Sequence, residues 1–279
     1  MSGLKLGLIA GAGGLPVEIA AACAVSGRPC HVIRLRGMAD VALQDYPGEE
    51  VGLAELGRCI KALRREGCQR VCFAGSVRRP DFAALRPDLG GIKHLPGLLA
   101  AARGGDDALL RAVLAMFESE GFDVEGVGQA AEGLLLTEGP LGSVAPGGAE
   151  QSDIALAMAA ARDLGSRDIG QAAVARMGNI LASEQDDGTD AMLRRCIASR
   201  PPGPLRQGVL AKVPKPFQDR RVDLPTIGAT TIELAAQAGL AGVAGEAGGL
   251  LVVDRGAVRE AADRLGLFVV GVEPTRVNG

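Results

Sequence analysis

The first half of the chain repeats one pattern, in which a short apolar stretch is followed by a stretch with helical spacing. Strands are predicted over residues 4–10, 30–35, 70–74 and 122–127. Helices are predicted over residues 16–27, 53–66 and 106–120. Parallel strands need a crossover connection, usually a helix, so this alternation indicates βαβ units. We therefore expect an α/β fold whose N-terminal domain contains a Rossmann-like parallel sheet.

Glycine and proline interrupt this alternation between residues 132 and 148, and these residues typically form turns. Beyond that point strand follows strand more often, as at 171–176 and 179–183, so the second sheet should be mixed. A chain of 279 residues is long enough for two modest domains. We predict a Rossmann-like domain over 1–135, a linker over 136–149 and a catalytic α/β domain over 150–279.

Composition excludes several classes of function. The formal net charge is -3 and aromatic residues make up 3% of the chain, whereas nucleic-acid binders need basic surfaces and stacking rings. No apolar run reaches the ~18 residues of a membrane span, and the apolar N-terminus breaks at a glycine turn, unlike a signal peptide. The six cysteines form no C-x-x-C pair, so we expect reduced thiols in a cytoplasmic protein and no zinc site.

A glycine turn follows the first predicted strand. Gly11, Gly13 and Gly14 would let a phosphate approach the backbone N–H groups at a helix N-terminus. As a dinucleotide fingerprint the turn is defective, because Pro16 occupies the third glycine position and the basic stretch 34–36 lacks a ribose-binding acid. A NAD-type site, another nucleotide or phosphate site, and a purely structural turn all stay open.

Gly75 and Ser76 follow another predicted strand of the same domain. They lie at its carboxyl end, where ligands bind in open α/β sheets. We include both residues among the candidate binding groups. The alternative is a solvated basic turn.

An acidic stretch lies between a predicted strand and a predicted helix at residues 184–190. Thr189 is placed to cap that helix and Asp190 to lie in its first turn. Carboxylates at such a junction also suit magnesium, which is held by few protein ligands and several waters.

The most informative segment runs from Lys212 through Lys215 and Asp219 to Arg221 and Asp223. If this segment is extended, the last three of these side chains lie on one face, because side chains alternate along a strand. Lysine and arginine would neutralise phosphoryl oxygens, and carboxylates would hold a cation and orient water. A solvated ladder of ion pairs is the alternative.

Two other chemistries lack parts. Both histidines lie in the first domain, which leaves a Ser-His-Asp triad little support in the second. The P-loop pattern is absent. The residues thus favour metal-assisted chemistry on a phosphate compound.

These motifs resemble those of the LpxI-type UDP-2,3-diacylglucosamine pyrophosphatases of lipid A biosynthesis, and the resemblance spans nearly the whole chain. It is carried by residues 9–16 (IAGAGGLP), 188–193 (GTDAML) and 212–228 (K-x-x-K-P-x-Q-D-x-R-x-D-L-P-x-I-G). The last string carries most of the weight, because it is long and unusual in composition. The glycine turn alone would be a weak signal.

The resemblance implies a fold of two α/β domains with substrate between them. It implies hydrolysis of the diphosphate of UDP-2,3-diacylglucosamine to UMP and 2,3-diacylglucosamine 1-phosphate (lipid X), with water attacking the phosphorus on the sugar-lipid side. It also implies a divalent cation, Mg²⁺ or another such as Mn²⁺. We expect a cytoplasmic enzyme with peripheral contact to the inner membrane, and a homodimer on general frequency.

Roles for single residues follow from this interpretation. We predict that Asp223 is the central catalytic carboxylate, as a metal ligand or as the base that orients water. The other catalytic candidates are Asp219, Arg221, Lys212 and Lys215, and the metal candidates are Asp190, Asp219 and Asp223. The candidates for binding substrate or nucleotide are Gly11, Gly13, Gly14, Gly75, Ser76, Thr189 and Gln218.

Two rival functions stay open. An NADP-type oxidoreductase would place Arg34 or Arg36 near a 2′-phosphate. A non-catalytic carrier would bind an acylated sugar phosphate without cleaving the diphosphate. Clustered carboxylates disfavour a mere carrier of anions, because they repel phosphate unless a cation intervenes.

Overall fold

The computed structural model describes residues 4–78, 86–200 and 206–274. The chain divides into two units, Met1–Glu132 and Gly133–Gly279, which we call unit 1 and unit 2. The segment predicted as a linker, residues 136–149, contains a short strand and the first residues of a helix of unit 2. Each unit is described by itself below.

Unit 1 contains a five-stranded sheet in which every strand pair is parallel. Its strands are β1 (Leu6–Ala10), β2 (Cys30–Leu35), β3 (Gly48–Val51), β4 (Arg70–Ala74) and β5 (Asp123–Val124). The strand order is β3-β2-β1-β4-β5, which matches the first five strands of the Rossmann order 3-2-1-4-5-6. The predicted Rossmann-like parallel sheet is confirmed.

Helices of unit 1 follow these strands along the chain. They are α1 (Leu15–Ser26), α2 (Leu56–Arg65), α3 (Leu89–Ile92), α4 (Leu95–Ala102), α5 (Asp106–Ser119) and α6 (Val127–Ala130). Pro16 lies in the first turn of α1, where its missing N–H costs no hydrogen bond. Gly27 ends α1 with a left-handed φ of 69°, as a C-terminal glycine cap does.

The sheet of unit 1 buries a core beneath α2 and α5. Ile33 and Val71 pack with Leu63 and Phe117 in one cluster of buried side chains. The rings of Phe73 and Phe117 meet edge to face with centroids 5.1 Å apart, a favoured aromatic geometry. A chain with few aromatic residues therefore concentrates several of them in this one core.

Unit 2 contains a six-stranded mixed sheet of order β6-β13-β11-β9-β7-β8. Its strands are β6 (Gly139–Pro140), β7 (Ala172–Arg176), β8 (Asn179–Ser183), β9 (Val209–Lys212), β11 (Gly242–Glu246) and β13 (Phe268–Val272). β9, β11 and β13 run parallel, whereas β6, β7 and β8 pair antiparallel. β10 (Thr226–Ile227) and β12 (Leu251–Val252) form a separate parallel pair. The predicted mixed sheet is confirmed.

Helices cover both faces of this sheet. They are α7 (Gly148–Ser166), α8 (Gly188–Ala198), α9 (Ala229–Gln237) and α10 (Arg255–Leu265). On one face Ala157 and Ala161 of α7 belong to the same buried cluster as Ala211; small side chains let a helix approach a sheet closely. The other face buries larger groups of α8 and α9, including Met192 and Ile232. A sheet covered on both sides accounts for strands that are apolar along their whole length.

Several chain segments leave the sheet of unit 2 at one edge. β9 and β11 run parallel, so Lys212 and Glu246 both lie where these strands end. The antiparallel neighbours bring the start of β7 and the end of β8 to the same place, because Ala172 pairs with Lys212 and Ala173 with Ser183. We call this place the carboxyl edge. Residues 184–190 and 213–225 both start from it.

The segment predicted to be extended after Lys215 is instead turned. The N–H groups of Val222 and Asp223 donate to the carbonyl of Asp219 at 3.0 and 3.1 Å, and Arg221 N donates to Asp219 Oδ1 at 3.0 Å. Aspartate favours such local bonds to the main chain over strand pairing. The prediction that Asp219, Arg221 and Asp223 share one face of an extended strand is therefore wrong.

Within residues 4–78, 86–200 and 206–274, no helix is long and apolar enough to cross a bilayer.

Candidate functional site at the carboxyl edge

Lys212 is the last residue of β9 and is buried, with 7% of its surface exposed. Its Nζ donates to the carbonyl oxygen of Thr226 at 2.9 Å. Burial lowers the pKa of Lys212, while the nearby carboxylates of Glu184 and Asp190 act in the opposite direction. An ammonium group carries three donors, so the end of β9 presents a cation in a poorly solvated setting.

Glu184 follows β8 directly and is also buried, with 6% exposed. Its Oε2 accepts from Gln171 N at 2.7 Å, and its Oε1 accepts a short hydrogen bond from Thr189 Oγ1. Sequence reasoning gave Glu184 no role. Glu184 was part of the acidic stretch 184–190 that the sequence marked as suited to magnesium, and its place directly after a strand was the signal that could have singled it out.

Thr189 does not cap α8, contrary to the prediction. The helix starts at Gly188 after Asp187, which makes no side-chain cap. Thr189 is already inside the first turn, and its hydroxyl is committed to Glu184. Asp190 does lie in the first turn, as predicted. Its side chain is about half exposed and lies 4.0 Å from Arg194 Nη2.

The turned segment after β9 holds the other predicted polar residues. Lys215 Nζ pairs with Asp168 Oδ1 at 2.7 Å. Arg221 forms a paired contact with Asp219, through Nη2 to Oδ2 at 2.7 Å and Nε to Oδ1 at 2.9 Å. The sequence thus predicted which residues gather on this segment, but not which of them pair.

Gln218 and Asp223 meet within the same segment. Gln218 Nε2 donates to Asp223 Oδ2 at 2.6 Å, and Gln218 Oε1 accepts from Lys215 N at 3.3 Å. The amide of Gln218 therefore orients the Asp223 carboxylate and ties it to the start of the segment.

Glu246 is a second buried carboxylate that the sequence did not reveal. It ends β11 and is paired with Arg220, whose Nη1 donates to Glu246 Oε1 at 2.9 Å. This ion pair attaches the turned segment to the sheet. Gly245 pairs with Lys212 in the sheet, so Glu246 lies one residue beyond the level of Lys212. Nothing in the alternation of the strand distinguishes Glu246 before its burial is known.

The predicted metal ligands do not form a ready-made cage. Within residues 4–78, 86–200 and 206–274, no three His, Cys, Asp or Glu side chains are grouped closely enough to hold a metal ion. Carboxylate oxygens are nevertheless the hard donors that Mg²⁺ takes, and Mg²⁺ is usually held by one or two carboxylates with waters and substrate phosphates. The residues present fit a cation that binds together with a phosphate ligand.

The glycine turn of unit 1 lies at the switch point of its sheet, beside the carboxyl ends of β1 and β4. Ala12 and Ser76 exchange backbone hydrogen bonds of 2.8 and 2.9 Å. A Cβ on Gly11 would lie 2.6 Å from Ser76 O, and one on Gly75 would lie 2.6 Å from Ala12 O. These two glycines therefore have a packing role regardless of any ligand.

Gly13 differs from these packing glycines. It has a left-handed φ of 94°, and a Cβ there would meet nothing within 4 Å. Gly14 precedes α1 as its N-cap residue. The backbone at these two positions is therefore compatible with a phosphate, and the open space beside Gly13 leaves room for one.

The arginines required by the oxidoreductase alternative are engaged within unit 1. Arg34 Nη1 donates to the carbonyl oxygens of Leu43 and Tyr46 at 3.0 and 3.2 Å. Arg36 pairs with Glu50 and Glu55. These contacts disfavour a role for either guanidinium in binding a 2′-phosphate.

The architecture defines an α/β protein of two units, with a Rossmann-type sheet in one and a cationic, carboxylate-rich sheet edge in the other. Comparison with known families adds a specific assignment. The family model for the LpxI N-terminal domain matches residues 5–134, and that for the LpxI C-terminal domain matches residues 137–270. The chain belongs to the LpxI family.

A curated relative supports this assignment over almost its full length. The chain is 57% identical over 274 residues to the UDP-2,3-diacylglucosamine pyrophosphatase LpxI of Caulobacter vibrioides, covering 97% of this chain and 98% of the relative. Among solved structures, CobK precorrin-6A reductase aligns over 98% of this chain and 91% of its own, at 18% identity and a TM-score of 0.30. A TM-score of 0.30 does not indicate a shared fold.

Lys212→Met tests the cost of burying this cation. Burial lowers the pKa of Lys212 even though Glu184 and Asp190 lie nearby, so the charged form has a net cost in the folded state. We therefore expect the variant to be more stable than the wild type near pH 7, by ~1 kcal/mol. The folded pKa lies below the ordinary lysine value. The unfolded chain then binds more protons between the two pKa values, and the stability of the wild type rises with pH there.

The measurement is urea denaturation of both proteins at about pH 7 and about pH 9.5, and the difference in stability should narrow at the higher pH. A variant that is less stable by ~2 kcal/mol at neutral pH would contradict this prediction. It would mean that the bond to Thr226 stabilises the fold more than burial of the charge destabilises it.

Proposed function

We propose that this chain hydrolyses the diphosphate of UDP-2,3-diacylglucosamine to UMP and 2,3-diacylglucosamine 1-phosphate (lipid X) in lipid A biosynthesis. The observation that carries the proposal is 57% identity, over 97% of this chain, to a relative with the corresponding activity in its name. The chemistry of the carboxyl edge is suited to this reaction.

Charge stabilisation is the first requirement of the reaction. Cleavage of a diphosphate moves negative charge onto the leaving UMP phosphate, and donors aimed at that charge lower the barrier. Lys212 is the best placed cation, because it is buried and fixed by its bond to Thr226. Lys215 and Arg221 are the further phosphate-binding candidates on the adjoining segment, where each already pairs with a carboxylate.

A carboxylate that orients water is the second requirement. Asp223 is our candidate, because Gln218 Nε2 holds one of its oxygens at 2.6 Å. A carboxylate held in one orientation can accept a proton from an attacking water with little reorganisation. In this proposal Gln218 does not contact the substrate but orients Asp223. Thr189 likewise acts by holding Glu184 rather than by binding the substrate.

A divalent cation would complete this arrangement. Asp190, Asp219 and Asp223 are the residues that would hold Mg²⁺, together with phosphate oxygens of the substrate. When bound, the cation would neutralise charge on the diphosphate. Because Mg²⁺ usually keeps several waters and takes only one or two carboxylates, its other ligands would come from solvent and from the substrate.

The glycine turn of unit 1 is our candidate for the nucleotide or one of its phosphates. Gly13 and Gly14 offer backbone N–H groups at the start of α1, and Ser76 lies across the turn. The substrate is a nucleotide-linked glycolipid, so we also propose peripheral contact with the inner membrane, where such lipids are collected and released. A homodimer is the expected assembly on general frequency.

The proposal predicts release of UMP from UDP-2,3-diacylglucosamine by the purified chain in the presence of Mg²⁺. Adding EDTA should reduce the rate by about 100-fold or more, because the diphosphate charge is then no longer neutralised. Chromatographic detection of UMP gives the rate. Absence of UMP in the magnesium sample would contradict the proposed activity. Full activity in EDTA would contradict only the proposed requirement for a divalent cation.

Asp223→Asn should lower kcat by about 100-fold or more, because the amide cannot accept the proton of the attacking water. Initial rates at saturating substrate provide the measurement. Asp163→Asn is the matched control, since Asp163 is an exposed carboxylate paired with Arg167 on α7 and should leave kcat unchanged. Retention of activity within about tenfold in Asp223→Asn, a barrier change of only ~1.4 kcal/mol, would remove Asp223 from the central role.

A further inference from the structure

Glu184 has no assigned role, yet its side chain contacts both the first turn of α8 and the residue just before β7 at the carboxyl edge. We propose that Glu184 is a positioning residue for the hydrolytic reaction, which fixes the first turn of α8 against the end of β9. The inference rests on the proposed function and adds a residue to it. It is based on the hydrogen bonds of the two Glu184 carboxylate oxygens and on those of the main chain at Gln171.

The two carboxylate oxygens of Glu184 hold different elements. Oε1 accepts from the hydroxyl of Thr189 in α8, and Oε2 accepts from Gln171 N just before β7. Glu184 itself follows β8, and its own N–H donates to Ala172 O at 2.9 Å. One buried side chain thus joins the start of a helix to two strands.

The main chain at Gln171 extends this connection to Lys212. While Gln171 N donates to Glu184, Gln171 O accepts from Val213 N at 3.0 Å. Val213 directly follows Lys212, and Ala172 pairs with Lys212 in the sheet. The position of Asp190 in the first turn of α8 is therefore linked to the position of Lys212 through Thr189, Glu184 and Gln171.

The charge of Glu184 also belongs to this edge. Its oxygens accept hydrogen bonds from a hydroxyl and an amide rather than neutralising a guanidinium, and its charge acts on Lys212 across the edge. A buried carboxylate held in this way is costly to place unless every oxygen is satisfied. Catalytic groups must be placed to within a fraction of an ångström. A buried carboxylate that fixes two neighbouring elements therefore suits a site that binds a diphosphate.

Asp153 of α7 provides a matched control, because it binds the turn of the β7–β8 hairpin. Asp153 is another buried carboxylate, 5% exposed, and its oxygens accept from Met177 N at 3.0 Å and Gly178 N at 2.8 Å. It holds the turn between β7 and β8, at the opposite end of these strands from Glu184. Asp153 therefore shares the burial and the bonding pattern of Glu184 but not its place at the carboxyl edge.

The experiment compares Glu184→Gln with Asp153→Asn in the full chain. Each substitution keeps the size of the side chain and removes one acceptor and one negative charge, so each should lower the thermal unfolding temperature. Activity is measured at a temperature where circular dichroism shows both variants to be folded. We expect Glu184→Gln to lose about 100-fold in kcat/KM, mainly in kcat, because the catalytic groups are misplaced.

Asp153→Asn should stay within about threefold of the wild type in both kcat and KM. Thr189→Val provides a second variant if Glu184→Gln does not fold, because it removes only the hydroxyl donor at nearly constant volume, and it should also lower kcat. Equal activity losses in the Glu184 and Asp153 variants, or wild-type activity in Glu184→Gln, would overturn the inference. An inactive wild type would instead contradict the proposed function.

Discussion

The Lys212 ammonium is buried at the end of β9, and the neighbouring groups of the carboxyl edge must stabilise its charge. A cation with 7% exposure is unfavourable unless nearby groups stabilise its charge. The neighbours supply this in three ways: the Thr226 carbonyl accepts a hydrogen bond, and Glu184 and Asp190 contribute negative charge. The carboxylates must in turn be held, which Thr189 and Gln171 do for Glu184. Fold stability and the anion binding that we propose would thus make opposite demands on Lys212.

Polar contacts of its side chains hold the turned segment after β9 in place. Arg220 binds buried Glu246, Lys215 binds Asp168, and Gln218 binds Asp223. Each contact joins the segment to itself or to a neighbouring element of unit 2. In unit 1 close packing of backbone has the equivalent effect, because Gly11 and Gly75 leave no space for a side chain where the two loops meet. Both candidate binding regions are therefore shaped before any ligand binds.

Much of the fold could be predicted from local pattern, and most of the site's detail could not. The βαβ alternation predicted the parallel sheet, and the two closely spaced strands at 171–176 and 179–183 predicted the mixed sheet. β3 was missed because an edge strand with the sequence GEEV is too polar to show a buried pattern. The extended interpretation of residues 219–223 failed because Asp219 bonds its own main chain. The burial of Glu184 and Glu246 was not predicted, because it depends on strands that are distant in sequence.

The most direct test of the account is whether the substrate's diphosphate reaches Lys212. Lysine-selective ¹⁵N NMR can follow the Nζ signal of Lys212, assigned as the signal missing in Lys212→Met. The titrant is an analogue of UDP-2,3-diacylglucosamine with a methylene group in place of the bridging oxygen, which cannot be hydrolysed. The account predicts that the Lys212 signal shifts and saturates with the binding curve. An unchanged Lys212 signal in a protein that demonstrably binds the analogue would contradict it.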